Sequence, residues 1–542
     1  MYSSFHLRSS PQNHTSQTVA SSYNFTGFPI RCSWSSLMCC QCPSVLVLPL
    51  RSKLQIQHKF FQIKMSSNLR IETKRKEKDD SEEELPLSPT AEYFNSKALS
   101  TCILGVLEFE IPMDLSRLVP LVQDLFIPIN ARFSSIMISD KGERRWRRVE
   151  VNMKDHVKIP NFPEGLPVTE YDMHFEEYLT KIGMEPLPDD KPLWEIHLIT
   201  YPTSKAAGIS VFKLHHSLGD GYSLMGALLS CLQRADNTSL PLTFPATHRE
   251  PQADDSKPRM NVTNRVSNIL YSVYDGMCDF GWSIAKTGWI ADDKTSIRSG
   301  SHGVGFHPAV RILTVDLSLD KLKQIKTKLD VTISAVLVGI IFLGARLYMK
   351  ETGEGSRNTK PTVVVVLNTR DVNGFKSIEE MLNADNKLWG NQIAFLHITL
   401  PELTNLNYSN PLDFVFEAQK VIMRKKNSPA VYLSGLFLEM VRKYKGSETA
   451  AEYIKGALKN SSLAFTSMIG PIEQMSLANH PIKGLYYMVT GTHLSIVISA
   501  MSYMRTLRMG IGAELGFIDS TMFNLRMEQA FEQIYAAATS ST

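Results

Sequence analysis

Two adjacent histidines, His215 and His216, follow the apolar run Ile209–Leu214, which has the composition of a buried strand. Neighbouring side chains of a strand point in opposite directions, so only one of the two imidazoles can face a cleft. An imidazole that titrates near neutral pH can take a proton from a hydroxyl as that hydroxyl attacks an acyl group, and can then return it to the leaving group. The pair is therefore a candidate for general-base catalysis of acyl transfer to an alcohol.

The residues alone leave other interpretations of this pair open. Adjacent histidines are commonly structural residues of a core or a surface. They can also bind a metal, although neighbours on a strand diverge and make a poor ligand pair. The turn Gly219-Asp220-Gly221 follows, where glycine permits positive φ. We expect the Asp220 carboxylate to pair with an arginine and to hold this loop in shape.

Length and composition describe a globular chain and exclude some functions. The 542 residues are enough for two or three domains with ordinary cores. The formal net charge is only +4 and no dense block of Lys and Arg stands alone, so nucleic acid is not an implied partner. Four of the seven cysteines fall within the first 42 residues, so the body of the chain lacks the spread of a secreted disulfide framework and is typical of a reduced, intracellular protein.

The N-terminal segment differs from the rest of the chain. Residues 1–64 contain no Asp or Glu but several Lys and Arg and many Ser and Thr, which is typical of an organellar transit peptide. The alternative is that translation starts at Met65. The mixed-charge stretch 70–84 lacks apolar anchors and favours a disordered tether. We assign 1–86 to an N-terminal extension and expect order to begin near Leu87, where Ser88-Pro89 predicts the start of a helix.

Strands and helices alternate after that point, which predicts an α/β fold with helices covering sheets. The predicted strands are Cys102–Ile111, Glu195–Thr200, Ile209–Leu214, Val310–Val315 and Thr362–Leu367, and the predicted helices include Asp114–Leu125, Ala227–Arg234 and Thr332–Leu347. We place a first domain at 87–243, a linker at 244–308 and a second domain at 309–540. The apolar part of the last helix, Ile333 to Ala345, is shorter than the ~20 residues that cross a bilayer. Because Arg346 then ends it, we interpret it as a buried core helix.

The linker contains apolar residues at helical spacing, which predicts one amphipathic helix. These residues are Val266, Leu270, Val273, Met277, Phe280 and Ile284. Packing against its own protein is the favoured role of such a helix. Trp282 and Trp289 favour the alternative of a bilayer-surface helix, since aromatic rings suit the headgroup boundary.

Residues 215–221, HHSLGDG, match the HHxxxDG motif of CoA-dependent acyltransferases. The chain resembles the plant wax ester synthase/diacylglycerol acyltransferase family over about 87–540. The other segments that carry the resemblance are Leu87-Ser88-Pro89, Arg132-Phe133-Ser134-Ser135, Pro192-Leu193-Trp194-Glu195, Asn368-Thr369-Arg370, Trp389-Gly390-Asn391-Gln392 and Gly470-Pro471…Gly484…Ser502-Tyr503.

The resemblance implies a two-domain fold like that of chloramphenicol acetyltransferase, with the active site in a tunnel between the halves. His216 would be the general base, His215 and Asp220 would shape the site, and Gly221 would form the turn. Acyl-CoA and a long-chain alcohol or diacylglycerol would be the substrates, with no metal or other cofactor. The family implies peripheral association with the endoplasmic reticulum membrane or the plasma membrane, whereas the N-terminal composition offers the plastid as the alternative.

Two departures from expected patterns affect the site. Bacterial relatives carry an Asn in the strand before the Gly-Pro turn, whereas Thr466-Ser467-Met468 stands there in this chain. We take the Ser467 hydroxyl as a candidate for polarising the tetrahedral intermediate and Asn391 as a second substrate contact. Residues 279–283, DFGWS, resemble the DFGWG motif of BAHD acyltransferases but lie too close to the histidines, so we interpret them as a coincidence. A BAHD-like enzyme for a soluble alcohol or amine, and a silent lipid- or CoA-binding relative, remain the alternatives.

Overall fold

The computed structural model describes residues 84–140, 143–243, 262–300, 308–354, 359–368, 389–401, 410–426 and 428–540. The predicted N-terminal extension up to residue 83, residues 244–261 of the predicted linker, and Thr369-Arg370 lie outside the described residues. The strands are β1 (Glu84–Pro86), β2 (Cys102–Phe109), β3 (Ser135–Asp140), β4 (Glu143–Arg148), β5 (Val157–Lys158), β6 (Trp194–Ile199), β7 (Gly208–His215), β8 (Gln233–Arg234), β9 (Val310–Ser318), β10 (Thr362–Asn368), β11 (Ile393–Thr399), β12 (Leu463–Ile469), β13 (Met475–Leu477), β14 (His480–Thr490), β15 (Ile496–Tyr503) and β16 (Thr506–Glu514). The helices are α1 (Pro89–Phe94), α2 (Leu115–Leu121), α3 (Met153–His156), α4 (Val168–Met184), α5 (Gly221–Ser230), α6 (Val262–Gly288), α7 (Leu319–Leu329), α8 (Ile333–Met349), α9 (Leu412–Lys426), α10 (Ala430–Lys445), α11 (Ser447–Lys459) and α12 (Ser520–Ser540).

The described residues form two mixed sheets and a third, small sheet with the order β1-β4-β3. The larger sheet has the order β5-β6-β7-β2-β14-β13-β8 and the other has the order β11-β10-β12-β15-β16-β9. Each of the five strands predicted from sequence is present within two or three residues of its expected ends. The mixed α/β prediction is therefore confirmed.

The larger sheet combines strands from both halves of the chain. β14 pairs antiparallel with β2, from Ile482 opposite Phe109 to Thr490 opposite Cys102. The boundaries predicted at 243 and 309 do not account for this exchange, because a boundary drawn along the chain cannot show that a late strand joins an early sheet. The first described element, β1, pairs with β4 and lies directly before the predicted start at Leu87.

Two predicted helices have different limits in the structure. The first, predicted over Asp114–Leu125, ends as an α-helix at Leu121, one residue after Pro120, and continues as a π-helical turn over Val122–Phe126. Proline lacks the N–H that an α-helical interior needs, which accounts for the change of geometry there. The second begins at Gly221 and ends at Ser230, and the chain then forms the short strand β8.

α8 lies in the hydrophobic core that packs against the sheet containing β10. Among the described residues, only Ile333–Glu354 is long and apolar enough to cross a membrane, and most of it is buried inside the protein. A β-carbon on Gly339 would lie 2.8 Å from the Val415 side chain, so glycine allows α9 to approach closely. The prediction of a buried core helix is confirmed. Arg346, which follows the apolar part of the helix, is buried, and its Nη2 donates to the carbonyl oxygens of Thr359 at 3.1 Å and Pro401 at 2.8 Å.

The amphipathic helix predicted in the linker is α6, and it packs against the second half of the chain. Phe280 meets Phe437 of α10 edge to face, with 6.1 Å between ring centroids. Near its end, Lys286 is buried and pairs with Asp292. Both carboxylate oxygens of Asp292 also accept hydrogen bonds from Thr362, through its hydroxyl and its backbone N–H. These contacts tie the helix to the sheet that contains β10, as the favoured interpretation predicted.

Candidate active site

The histidine pair lies at the end of β7, where the backbone is held from both sides. The His215 N–H donates to the Leu193 carbonyl at 3.0 Å, just before β6, and the His216 N–H donates to the Thr101 carbonyl at 2.9 Å, just before β2. Backbone bonds to two neighbouring segments fix the direction in which each imidazole leaves the chain. Both rings are buried.

Asn391 holds the His216 ring through two hydrogen bonds. Its Nδ2 donates to the His216 carbonyl at 2.8 Å, which leaves Oδ1 as the acceptor 2.8 Å from His216 Nδ1. Nδ1 must then carry the ring proton, and the lone pair of the neutral ring is on Nε2. No hydrogen bond to Nε2 is found within the described ranges. An imidazole in this tautomer has the acceptor that a general base requires.

The surroundings of His216 favour the neutral ring. Phe94, the last residue of α1, stacks on the imidazole with 4.1 Å between centroids and 20° between planes. Burial lowers the pKa of His216 below its usual value, while the nearby Asp220 carboxylate and the hydrogen bond to Asn391 raise it again. The net pKa is below 6.5, so the ring is uncharged near neutral pH and available to accept a proton.

His215 has a structural environment. The Ser217 N–H donates to its Nδ1 at 3.3 Å, and the Ser217 hydroxyl lies 2.7 Å from the same atom. The proton is then on Nε2, which lies 3.1 Å from the Ser100 hydroxyl. Burial, followed by the neighbouring His216 and Lys213, lowers the pKa of His215 to about 3. Both ring nitrogens contact serine residues, so neither is available to accept a proton from a substrate.

Asp220 caps the helix that follows the motif and connects the two halves. Its Oδ1 accepts from the Ser223 N–H at 3.1 Å, which is the N-cap bond of α5. Its Oδ2 accepts from the Gln392 N–H at 2.9 Å. Among the described residues Asp220 holds the loop through backbone amides, one of them 172 residues away, and the predicted pairing with an arginine stays a prediction. The Ser223 hydroxyl adds contacts to Gly390 of the same segment, at 3.1 Å to both its N–H and its carbonyl.

The glycines of the motif do not use the positive φ that glycine permits. Neither Gly219 nor Gly221 is among the residues with φ in the left-handed region. Gly221 is the first residue of α5, and a β-carbon there would lie 2.9 Å from Sδ of Met468 on β12. A side chain at 221 would therefore force the Met468 side chain of the other half to shift. Close approach, and not backbone conformation, explains this glycine.

The loop between the histidines and α5 is held at one carbonyl. Arg132 Nη1 and Trp389 Nε1 both donate to the Leu218 carbonyl at 2.9 Å. Arg132 precedes β3 in the first half, and Trp389 belongs to the segment that also carries Asn391. Two donors from distant segments therefore hold the backbone of the loop at Leu218, in addition to the contacts of Asp220.

Ser467 lies on the wrong face of β12 for its predicted role. Phe465 points into the core around α8, whereas Met468 contacts Gly221 beside the histidines. Side chains alternate along a strand, so Ser467 shares the Phe465 face and is exposed, and Thr466 shares the Met468 face. Thr466 Oγ1 accepts from the Tyr487 hydroxyl at 3.2 Å. The hydroxyl of β12 that faces the histidine side is therefore that of Thr466.

Three residues that position the site were not identified as functional from the sequence. Phe94 is placed by a helix whose start was predicted correctly, since Ser88 caps it and Pro89 is its first residue. Arg132 and Trp389 stood in segments noted only for the resemblance. Asn391 was expected to contact substrate, but the structure places its side chain on His216. Aromatic and amide residues at distant positions give no local signal of such contacts.

A predicted tunnel at His216 stays a prediction. A cavity of about 500 Å³ among the described residues lies near the start of β7, opposite the end that carries the histidines. It is lined by Phe109, Pro202, Lys205, Gln474, Lys483 and their neighbours. Residues 369–388, which lead into Trp389, lie outside the described part of the chain.

Comparison with known proteins identifies relatives of the whole body of the chain. The model of the wax ester synthase/diacylglycerol acyltransferase catalytic domain matches residues 136–337, and the model of the C-terminal domain of the same proteins matches residues 389–535. Wax ester synthase/diacylglycerol acyltransferase 4 of Arabidopsis thaliana is 29% identical over 449 residues, which cover 79% of this chain and 85% of that protein. Number 9 of the same series is 27% identical and covers 86% of this chain and 98% of its own length.

Solved structures share the fold at low sequence identity. The wax ester synthase/diacylglycerol acyltransferase from Marinobacter aquaeolei VT8 has a TM-score of 0.54 and 14% identity, over 84% of this chain and all of that one. The first condensation domain of the calcium-dependent antibiotic synthetase has a TM-score of 0.52 and 11% identity, over 84% of this chain and 97% of that domain. The predicted two-domain acyltransferase fold is thereby confirmed.

Proposed function

Because the chain belongs to the wax ester synthase/diacylglycerol acyltransferase family, we propose that it transfers a fatty acyl group from acyl-CoA to a lipid hydroxyl, with His216 as general base. The acceptor is a long-chain alcohol, which gives a wax ester, or diacylglycerol, which gives triacylglycerol. The observation that supports the role of His216 is its pair of hydrogen bonds with Asn391, which leaves Nε2 unprotonated.

The reaction needs one proton acceptor that later becomes a donor. Nε2 of His216 takes the proton of the acceptor hydroxyl while the oxygen forms a bond to the thioester carbonyl carbon. The tetrahedral intermediate then expels the CoA thiolate, which recovers the proton from Nε2, so the products are an ester and free CoA. Nδ1 keeps its proton throughout, and the Asn391 amide stabilises the imidazolium that forms between the two steps. Acyl-CoA is consumed as a substrate, and the reaction requires no other cofactor or metal.

The acceptors are membrane lipids, so the enzyme must work at a bilayer. We place it peripherally at the endoplasmic reticulum membrane, where diacylglycerol and long-chain alcohols partition, with the plasma membrane as a second site and the plastid as the alternative. The buried position of α8 supports peripheral association, because this helix is part of the core that packs against the sheet containing β10.

The first test uses the purified chain with labelled palmitoyl-CoA and, in parallel, hexadecanol or diacylglycerol dispersed in detergent. We expect a labelled ester from at least one acceptor. His216→Ala should lower the rate by about 10²–10⁴-fold, the usual contribution of a general base, while the protein remains folded. His215→Ala should reduce the rate less, because both nitrogens of that ring contact the loop.

His174→Ala is a suitable control. His174 lies on α4, where it stacks on Phe162, and it has none of the site contacts described above. Its substitution should leave the rate unchanged. Equal rates for the wild type and His216→Ala would contradict the mechanism. Folded wild-type protein that acylates neither lipid would favour a soluble acceptor or a silent binding protein.

A further inference from the structure

Over residues 274–289, α6 and the residue after it expose large apolar side chains, whereas Asp279 and Lys286 turn inward. Tyr274 is 66% exposed, Met277 is 64% exposed, and Trp289, just beyond the helix, is 84% exposed. By contrast Lys286 is buried with Asp292, and Asp279 forms ion pairs with Lys425 and Arg424 of α9. Surface helices of water-soluble proteins normally show the reverse arrangement. This face therefore has the composition of a surface that something else covers.

α10 presents a second apolar stripe beside the first. Its exposed large apolar residues recur at every fourth position, which places them along one side of the helix, and they are Tyr432, Leu436, Met440 and Tyr444. Gly276 packs so closely on Pro429, at the start of α10, that no β-carbon would fit, and Phe280 packs on Phe437 further along. The two helices therefore run side by side in the same direction. At about 100° per residue their outward faces turn to the same side of the protein.

The residues of this surface are those that suit the boundary of a bilayer. Tyrosine and tryptophan favour the headgroup level, where the ring is buried and the polar atom stays hydrated. The last turn of α10 adds Lys443 and Lys445 next to Tyr444, and such basic residues complement anionic lipid headgroups, whereas Arg442 pairs with Glu439 of the same helix. An apolar stripe with aromatic residues and a basic end is the pattern of an interfacial helix.

We propose that the paired outward faces of α6 and α10 dock onto an anionic lipid bilayer and hold the enzyme at the surface from which it takes its lipid acceptor. The inference rests on the proposed function for the nature of the acceptor, and it adds the part of the protein that meets the membrane. The exposed apolar side chains would enter the headgroup boundary, while the lysines at the end of α10 remain among the phosphates.

The test is flotation of the full chain with vesicles of phosphatidylcholine, alone or mixed with phosphatidylserine. The surface variant combines Met277→Glu, Leu436→Glu and Trp289→Glu. The control variant combines Met173→Glu, Leu515→Glu and Leu525→Glu, which are similarly exposed apolar residues on α4, after β16 and on α12. We expect the wild type and the control to float with the mixed vesicles, less so at high salt, and the surface variant to bind at least about tenfold less.

Activity measurements separate docking from catalysis. The surface variant should acylate a short water-soluble alcohol like the wild type but should lose transfer to diacylglycerol presented in vesicles. His216→Ala should float like the wild type while its rate of acyl transfer falls by about 10²–10⁴-fold. Flotation without any transfer would therefore refute the proposed function and leave the docking surface standing.

Equal flotation of the surface and control variants would overturn the proposal, as would a wild type that does not float. If the wild type does not float, light scattering identifies what covers the apolar surface instead. A second copy of the chain would give a dimer that the surface variant disrupts, whereas a segment of the same chain would leave a monomer. If the triple variant unfolds at a lower temperature than the control, the single change Trp289→Glu decides the same question, since that side chain lies almost entirely in solvent.

Discussion

Replacing Asn391 tests whether the tautomer of His216 is set by its neighbour. In Asn391→Ala both hydrogen bonds with His216, each 2.8 Å long, are lost, and the ring can carry its proton on either nitrogen or turn. Leaving a buried partner unsatisfied costs about 1–3 kcal/mol, and each 1.4 kcal/mol corresponds to about a tenfold change. We therefore expect kcat to fall by roughly 10- to 100-fold, with little change in the KM for acyl-CoA.

Asn391→Asp separates charge from geometry. A carboxylate in the same place still accepts from Nδ1 but cannot donate to the His216 carbonyl, and its charge raises the pKa of His216. Since the neutral ring is the active form, activity is lost as the pH falls through that pKa. The acid limb of the pH–rate profile, below pH 6.5 in the wild type, should move to higher pH in the variant.

The assay is steady-state transfer from palmitoyl-CoA to hexadecanol between pH 5 and 9, with circular dichroism to establish folding. Asn460→Ala is the matched control, because Asn460 also donates from Nδ2 to backbone carbonyls, those of Lys286 and Thr287, away from the histidines. It should lower the melting temperature without changing the pH profile. A folded Asn391→Ala enzyme with kcat within about threefold of the wild type and an unchanged acid limb would refute the positioning role.

Three further predictions follow from the site. Ser467→Ala should leave kcat within about twofold of the wild type, because its side chain is exposed on the face of β12 away from Gly221; a large loss in the same transfer assay would restore it as a substrate contact. Gly221→Ala should lower the free energy of unfolding by about 1–3 kcal/mol through its collision with Met468, and Met468→Ala in the same chain should recover part of that loss in urea titrations, whereas strictly additive effects would count against the contact. Burial lowers the pKa of His215 from 6.5 to about 3. Its contribution to stability is therefore complete above pH 6.5 and is lost as the pH falls towards 3, at up to about 1.4 kcal/mol per pH unit. His215→Asn should show a shallower fall of melting temperature between pH 6.5 and 4, and an unchanged slope would contradict this.

Local features of the site could be predicted from the sequence because they depend on neighbouring residues. A strand, two histidines and a helix follow one another within 25 residues, and the structure has them in that order. Side-chain alternation along the strand and a capping residue before the helix are enough to predict them. The same holds for α1, whose start is defined by Ser88 and Pro89. Glycine was a less reliable guide, since it can be required by conformation or by close approach, and only the position of Met468 decides between them for Gly221.

The rest of the site depends on residues that are distant in the chain. Asn391 lies 175 residues after His216, and nothing in the spacing of either segment shows that they meet. The entry of β14 into the first sheet is of the same kind, because pairing between distant strands follows from the topology and not from local pattern. The alternation of β12 could have placed Ser467 correctly, had its core-facing residue been known to be Phe465.

Several of the contacts that assemble this site are made to backbone atoms of the histidine loop. The segment 389–392 holds the histidine loop through the Leu218 and His216 carbonyls, the Gly390 peptide group and the Gln392 N–H. Substitution of Leu218 leaves its carbonyl bond intact provided that the main chain keeps its path, whereas the bonds to the Gly390 peptide group and the Gln392 N–H depend on the side chains of Ser223 and Asp220. The same bonds join the two halves of the chain, so the base is positioned only when both halves have folded against each other. Loss of catalytic geometry should therefore accompany any separation of segment 389–392 from the loop, even when each sheet remains folded.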